Sequence, residues 1–184
     1  MELKDLYGSA SDKKLFSERV DRLVGQFEKL TAQKPDFFFS SSGRAEICGN
    51  HTDHNHGKVI VAAISCDILA AVRKTDDGTV SIHSEGFPSF SLNVADTEVN
   101  KKEYGKSVAL ARGVARALAD RGYKVGGFTA VTESTIFRGA GVSSSVAFEL
   151  HVCEIFNQLY LGGALTKVEK AIISQYAEDV YFGK

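Results

Sequence analysis

Tryptophan is missing from the 184 residues, methionine occurs once and proline twice. The three cysteines, Cys48, Cys66 and Cys153, are odd in number and scattered. That argues against a disulfide framework and for a reducing, cytoplasmic setting. Long apolar runs are also lacking. The longest, Val59 to Ile64, is strand-sized and far too short to span a bilayer. The opening MELKDLYGSA has no apolar stretch of the kind a secretory leader needs. Neither sign of charge prevails: the formal net charge is −1, so neither a nucleic acid nor a membrane surface is an expected partner. No repeat, low-complexity segment or linker divides the chain.

What is present is the composition of a globular protein, 43% hydrophobic and 24% charged, with length enough for one domain and a real core. Residues 11–33 carry Leu15, Val20, Leu23, Val24, Phe27 and Leu30 at spacings that predict an amphipathic helix, closed by Pro35. Phe37–Ser40, Val59–Ile64, Ile68–Lys74, Thr79–His83 and Ser89–Leu92 read as strands, and Asp76-Asp77-Gly78 as a hairpin turn between two of them. Val108, Ala111, Ala115 and Leu118 then fall at helical spacing, with Gly122 as the stop. Phe128–Thr132 returns to a strand with alternating faces. A buried helix carrying Val146, Leu150, Cys153, Phe156 and Tyr160 follows. A last helix opens at Thr166, with Glu169 completing a capping box, and is still running at Lys184. The expected fold is α+β, a mixed sheet of about five strands backed by helices.

Two segments carry chemistry. Gly139-Ala140-Gly141-Val-Ser143-Ser144-Ser145 lies between a strand and a helix. Its glycines allow close backbone approach to a ligand. The first amides of the following helix lack partners and sit at the positive end of the dipole, which suits a phosphate. A serine hydroxyl there could also hold Mg²⁺. The Gly-Lys-Ser/Thr ending of a P-loop is missing, and an ordinary loop with serine caps would look similar.

The second segment, Gly43 to Gly57, contains no apolar side chain from Asn50 to His56. It is either an exposed turn or a polar binding site. Arg44 is a fixed cation able to fork onto a phosphate. Asn50, His51 and Asp53 could bond sugar hydroxyls. His51, Asp53, His54 and His56 also crowd together in a way that raises a metal site, but no later Cys or His cluster completes a tetrahedron.

Taken together, Gly43-Arg44-Ala-Glu-Ile-Cys-Gly49-Asn50-His51-Thr52-Asp53-His54-Asn55 resembles the galactokinase signature Gly-Arg-x-Asn-x-Ile-Gly-Glu-His-Thr-Asp-Tyr-Asn. Gly139 to Glu149 resembles the second motif of the wider GHMP kinases. Gln175-Tyr-Ala-Glu178-Asp-Val-Tyr-Phe-Gly183 resembles a galactokinase helix. The resemblance spans about residues 36–184. It departs from the family at Ser42, Glu46, Asn50 and His54, where Pro, Asn, Glu and Tyr are usual, and in the absence of a tryptophan that some members use near adenine.

The resemblance implies a GHMP N-terminal domain with a left-handed βαβ unit, and a kinase that moves a phosphoryl group from ATP to the anomeric hydroxyl of galactose or a related hexose. A non-catalytic sugar- or nucleotide-binding regulator on the same fold is the alternative. Arg44 would stabilise the transferring phosphate. Asn50, His51 and Asp53 would hold the sugar. Gly139, Ala140, Gly141, Ser143, Ser144 and Ser145 would wrap the ATP phosphates, and Ser145 with Glu178 would hold Mg²⁺. Glu178 shares a helical face with Ala171, Gln175 and Phe182, where a carboxylate needs a compensating partner. Arg44, Asp53, Ser145 and Glu178 are expected in one cleft, with His54 and His56 near its mouth and no metal on them. The family's catalytic Asp and its second domain would lie beyond Gly183. The chain is therefore expected to be part of a longer protein, to show little kinase activity alone, and to expose apolar surface that favours self-association.

Overall fold

In the computed structural model the chain is described over residues 10–49, 57–137, 141 and 143–183. Helix α1 spans Ala10–Thr31. Five strands follow the helix in an α+β arrangement: β1 Phe37–Cys48, β2 Ile60–Thr75, β3 Thr79–Ser84, β4 Phe90–Asn93 and, after helix α2 (Ser107–Asp120), β5 Gly127–Ser134. A short 3-10 turn, Lys101–Glu103, precedes α2, and helices α3 (Ser144–Tyr160) and α4 (Lys167–Tyr176) follow β5, with a π-helical segment Ala177–Phe182 at the end.

The sheet order is β1-β2-β5-β3-β4. All described pairings are antiparallel except β3 with β5, which run parallel with α2 in the crossover between them. The strands expected at 59–64 and 68–74 are one strand. The polar Ser65-Cys66-Asp67 interruption does not end it, because Asp67 is buried and bonded where it stands: it accepts from Ser40 Oγ at 2.7 Å and pairs with Arg19 at 2.8 Å. The irregularity is absorbed by a register shift, which places residues 64–66 opposite the single Gly43. For the same reason β1 does not stop at Ser40 but runs to Cys48, so the first half of the polar cluster is strand.

The expected hairpin at Asp76-Asp77-Gly78 is also corrected. The turn exists, with Gly78 at φ +69° and Asp77 Oδ1 accepting from Thr79 N at 2.9 Å. The two strands it joins do not pair, because β5 is inserted between them. Gly127, at the entry of β5, is what makes room. A Cβ there would lie 2.5 Å from Thr79 O and 2.6 Å from Thr79 N.

Both faces of the sheet are covered. On one, Phe16, Leu23 and Phe27 of α1 pack against Leu69, Ala71 and Val131. The buried stripe of α1 is thus 16, 23 and 27, whereas Leu15 and Leu30, expected inside, are exposed. On the other face α2 and α3 cover Phe39, Ala70, Val72, Ile82 and Phe128, and α4 packs on α2 and α3. Phe128 and Phe156 meet edge to face at 5.3 Å, tying β5 to α3. Being covered twice, β5 is buried without the expected alternation. Each large apolar side chain buried this way contributes about 1.5–3 kcal/mol.

Arg19 fastens α1 by charge as well, reaching Asp67 on β2 and Glu133 on β5. Gly122 follows α2 at φ +79°, and the Thr166–Glu169 capping box opens α4 as predicted. The last helical segment is not still running at the end of the chain. Gly183, at φ +79°, caps it.

Candidate functional site

Helix α3 starts where β5 hands the chain to the glycine- and serine-rich loop. Of that loop, Gly139 and Ala140 lie outside the described residues. Gly141 stands at φ +72° with open space around it. Ser143 is the residue before the helix and holds a left-handed conformation, φ +56° and ψ +56°, which a side chain adopts only under constraint. Its carbonyl accepts the first helical bond, from Ala147 N at 3.0 Å, but its hydroxyl does not cap. Among the described residues no side chain caps these first-turn amides, an arrangement that suits an anion.

Ser145, in the first turn of α3, donates its hydroxyl to Glu178 Oε1 at 3.0 Å. Glu178 comes from the π-helical segment after α4. Two hard oxygen donors thus meet beside the start of α3, a donor set that a small divalent cation takes, while the helix amides next to it suit an anion.

Beside them is a pocket of about 490 Å³. Phe90, Phe148 and Phe182 give it an apolar wall, and Ser144, Ser145 and Lys106 supply polar groups. Phe90 and Phe148 are edge to face at 6.4 Å. An apolar slot that ends on hydroxyls and helix amides fits a ligand with one flat apolar end and one anionic end. The pocket was not foreseen from the sequence. Its walls come from β2, the β3–β4 connection, α2, β5 with the residues just after it, α3 and the final segment, and no local pattern joins them.

Arg44 is on β1 opposite Ala63, with Nη1 3.8 Å from Glu46 on the same strand. Among the described contacts none joins Arg44 to Ser145 or Glu178. Asn50, His51, Asp53, His54 and His56 lie outside the described residues. Of the four side chains expected to converge, Ser145 and Glu178 are brought together.

Two buried titratable residues of α3, Glu149 and His151, escaped the sequence reading because they look like ordinary helix residues. His151 is 1% exposed and bonds Ser41 Oγ through Nδ1 at 2.9 Å. Burial pushes its pKa down to about 4, against the pull of Asp67 and Glu154. It is neutral near pH 7 and joins α3 to β1 as a structural hydrogen-bonding group.

Comparison with known proteins places this geometry. Residues 109–184 match the GHMP kinases N terminal domain, and residues 25–74 match the galactokinase galactose-binding signature. The chain is 34% identical over 165 residues to a galactokinase of Clostridium tetani, covering 89% of this chain and 42% of that protein. It is 32% identical to a galactokinase of Pyrococcus furiosus, covering 84% and 40%. The crystal structure of Lactococcus lactis galactokinase complexed with galactose superposes with a TM-score of 0.81 at 25% identity, over 90% of this chain and 43% of that one. Methanococcus jannaschii mevalonate kinase shares the fold, with a TM-score of 0.65 at 16% identity.

A mixed five-stranded sheet backed by helices, with a serine-rich loop opening a buried helix, defines the N-terminal part of a GHMP kinase. Within that class the chain belongs to the galactokinase family, of which it matches the N-terminal part. It spans a little over two fifths of the length of the relatives it matches.

Proposed function

We propose that this chain forms the nucleotide- and sugar-gripping part of an ATP-dependent kinase that phosphorylates the anomeric hydroxyl of galactose or a related hexose. The observation that carries the proposal is the meeting of Ser145 with Glu178 at the start of α3, beside the apolar pocket. The nucleotide base would enter between Phe90, Phe148 and Phe182, and the phosphates would lie along residues 139–145. Ser145 and Glu178 would hold Mg²⁺, whose charge offsets that of the ATP phosphates. Arg44 would serve the transferring phosphate, once drawn from Glu46. Asn50, His51 and Asp53 would bond the sugar. The chain's task is positioning and charge neutralisation, which dominate phosphoryl transfer.

ATP as co-substrate and the free Cys48, Cys66 and Cys153 support a cytoplasmic setting. None of the described helices is long and apolar enough to cross a membrane. The outer ends of β1 and β2 expose Ile47, Val59, Ile60 and Val61. A second domain of the same protein, or a second copy of the chain, would cover them.

The test is titration with a fluorescent ATP analogue, with and without Mg²⁺, followed by galactose-dependent ADP release in the full-length protein. The proposal expects nucleotide binding that Mg²⁺ strengthens and that Ser145→Ala weakens. Binding indifferent to both would overturn it. Asn50→Glu in the full-length protein should alter the relative efficiency toward different hexoses about 2- to 10-fold, the worth of one hydrogen bond. An unchanged preference would remove Asn50 from the sugar site.

A further inference from the structure

The carboxylate of Glu178 is carried by a segment that its own helix does not fix. Residues 177–182 are π-helical, a geometry rare in proteins and found mostly as short interruptions at functional sites. Such a turn is held in place by what packs on it, and most of that packing comes from α2 and the stretch just before it, with lesser contact from α3 and α4. Tyr181 Oη donates to Thr97 O at 2.6 Å. Gly105 N donates to Phe182 O at 3.0 Å. Gly113, in the middle of α2, lets the two backbones touch. A Cβ built on it would lie 2.8 Å from both Cα and Cβ of Ala177 and 3.0 Å from Tyr181 Cδ2.

A glycine inside a helix costs stability relative to alanine, and Gly113 is buried where an alanine would fill space if there were any. Its use here is the close approach. Ala177, the residue it admits, immediately precedes Glu178. Gly105, Lys106, Val108, Leu110 and Phe182 of the same clamp also line the pocket beside Ser145.

We infer that Gly113 is a positioning residue for Glu178: the approach of α2 to Ala177 sets the turn that delivers the Glu178 carboxylate to Ser145. The inference rests on the proposed nucleotide site. An added methyl at Gly113 pushes the segment away, and the distance between Ser145 Oγ and Glu178 grows while the loop at 141–145 is untouched.

The experiment is a double-mutant cycle in the full chain, read as the factor by which Mg²⁺ tightens a fluorescent ATP analogue. Glu178→Gln should remove most of that factor, leaving a measurable remainder. Gly113→Ala should remove most of it, a loss of roughly tenfold or more if a charged hydrogen-bonding contact is lost. Gly113→Ala added to Glu178→Gln should change it no further. Gly25→Ala, at an exposed helical site with nothing within 4 Å, should leave it intact. A Gly113→Ala protein that keeps the wild-type factor overturns the inference, as does a further loss on top of Glu178→Gln. If Gly113→Ala does not fold, Tyr181→Phe, which frees only the Thr97 anchor, carries the test. A partial loss supports the positioning role, and none overturns it. Should the wild type show no Mg²⁺ factor at all, the proposed nucleotide site falls, and this inference with it.

Discussion

Ser145 Oγ donates to Glu178 Oε1 at 3.0 Å across 33 residues of chain, joining the first turn of one helix to the last helical segment described. Neither residue is distinctive alone. Together they place a hydroxyl and a carboxylate at the positive end of α3. Ser145→Ala and Glu178→Gln should each weaken Mg²⁺-nucleotide binding, by roughly tenfold if a charge-assisted contact is lost. Glu178→Gln keeps the shape and loses the charge, so its deficit should shrink when Mg²⁺ is withheld. Isothermal titration with and without Mg²⁺ reads both effects.

Gly127→Ala should be among the most damaging small substitutions in the chain. The added methyl would meet Thr79 O at 2.5 Å, where β5 enters between β2 and β3. Something in the sheet must shift, at a cost on the order of 3 kcal/mol or more, since backbone cannot yield as a flexible side chain does. Urea unfolding should show a lower midpoint. A midpoint equal to wild type would contradict the close insertion of β5.

His151 should make stability depend on pH on the acid side. Its folded pKa, about 4, lies below the ordinary 6.5 because burial disfavours the charged ring. The unfolded chain therefore binds the extra proton first as pH falls. This contribution is complete above about pH 6.5, declines through the window down to pH 4, and amounts to about 3 kcal/mol over that range. Denaturant midpoints between pH 4.5 and 7 should show the slope in wild type and a flatter one in His151→Gln. Equal slopes would place the titration elsewhere.

Asp67→Ala should loosen α1. The carboxylate holds Arg19 at 2.8 Å and Ser40 Oγ at 2.7 Å inside the sheet-facing side of the helix. Removing it leaves Arg19 with Glu133 alone and Ser40 Oγ without its acceptor, at a cost of about 1–3 kcal/mol. Limited proteolysis should cut within residues 10–36 earlier than in wild type. Identical digestion would show that the apolar contacts of Phe16, Leu23 and Phe27 suffice.

Thiol accessibility gives an independent check on burial. Cys48 is exposed, whereas Cys153 is buried and its pKa is pushed up to about 12, chiefly by desolvation. A thiol reagent at pH 8 should label Cys48 first and leave Cys153 unmodified until the protein unfolds. Early labelling of Cys153 would mean that α3 is not packed as described.

Much of this protein was legible in its sequence because the signals are local. The capping box at Thr166 and Glu169, the helical spacing before Gly122 and the serine loop that opens α3 are each fixed by residues within a few positions of one another. The signature from Gly43 to Asn55 likewise announces its family without reference to the rest of the fold. The misjudged positions are those where a distant partner overrules the local pattern. Ser65-Cys66-Asp67 reads as a break between strands, and Arg19 of α1 with Ser40 of β1 makes it strand. Asp76-Asp77-Gly78 reads as a hairpin, and β5, arriving some fifty residues later in the chain, splits it. Leu15 and Leu30 fit the apolar spacing of α1 but fall off the stripe that the sheet actually covers.

The sequence by itself determined which residues could bind phosphate, where the helices begin, and that the chain has the motifs of a galactokinase-type domain, since those depend on side-chain chemistry and short-range geometry. The family resemblance already paired Ser145 with Glu178. Only the tertiary structure decided that segments far apart in the chain line one pocket, and that Gly113 and Gly127 are glycines for want of space. Strand order and close approach are set by long-range packing, in which the energy of any contact depends on every other element being in place, and no window of sequence contains that information.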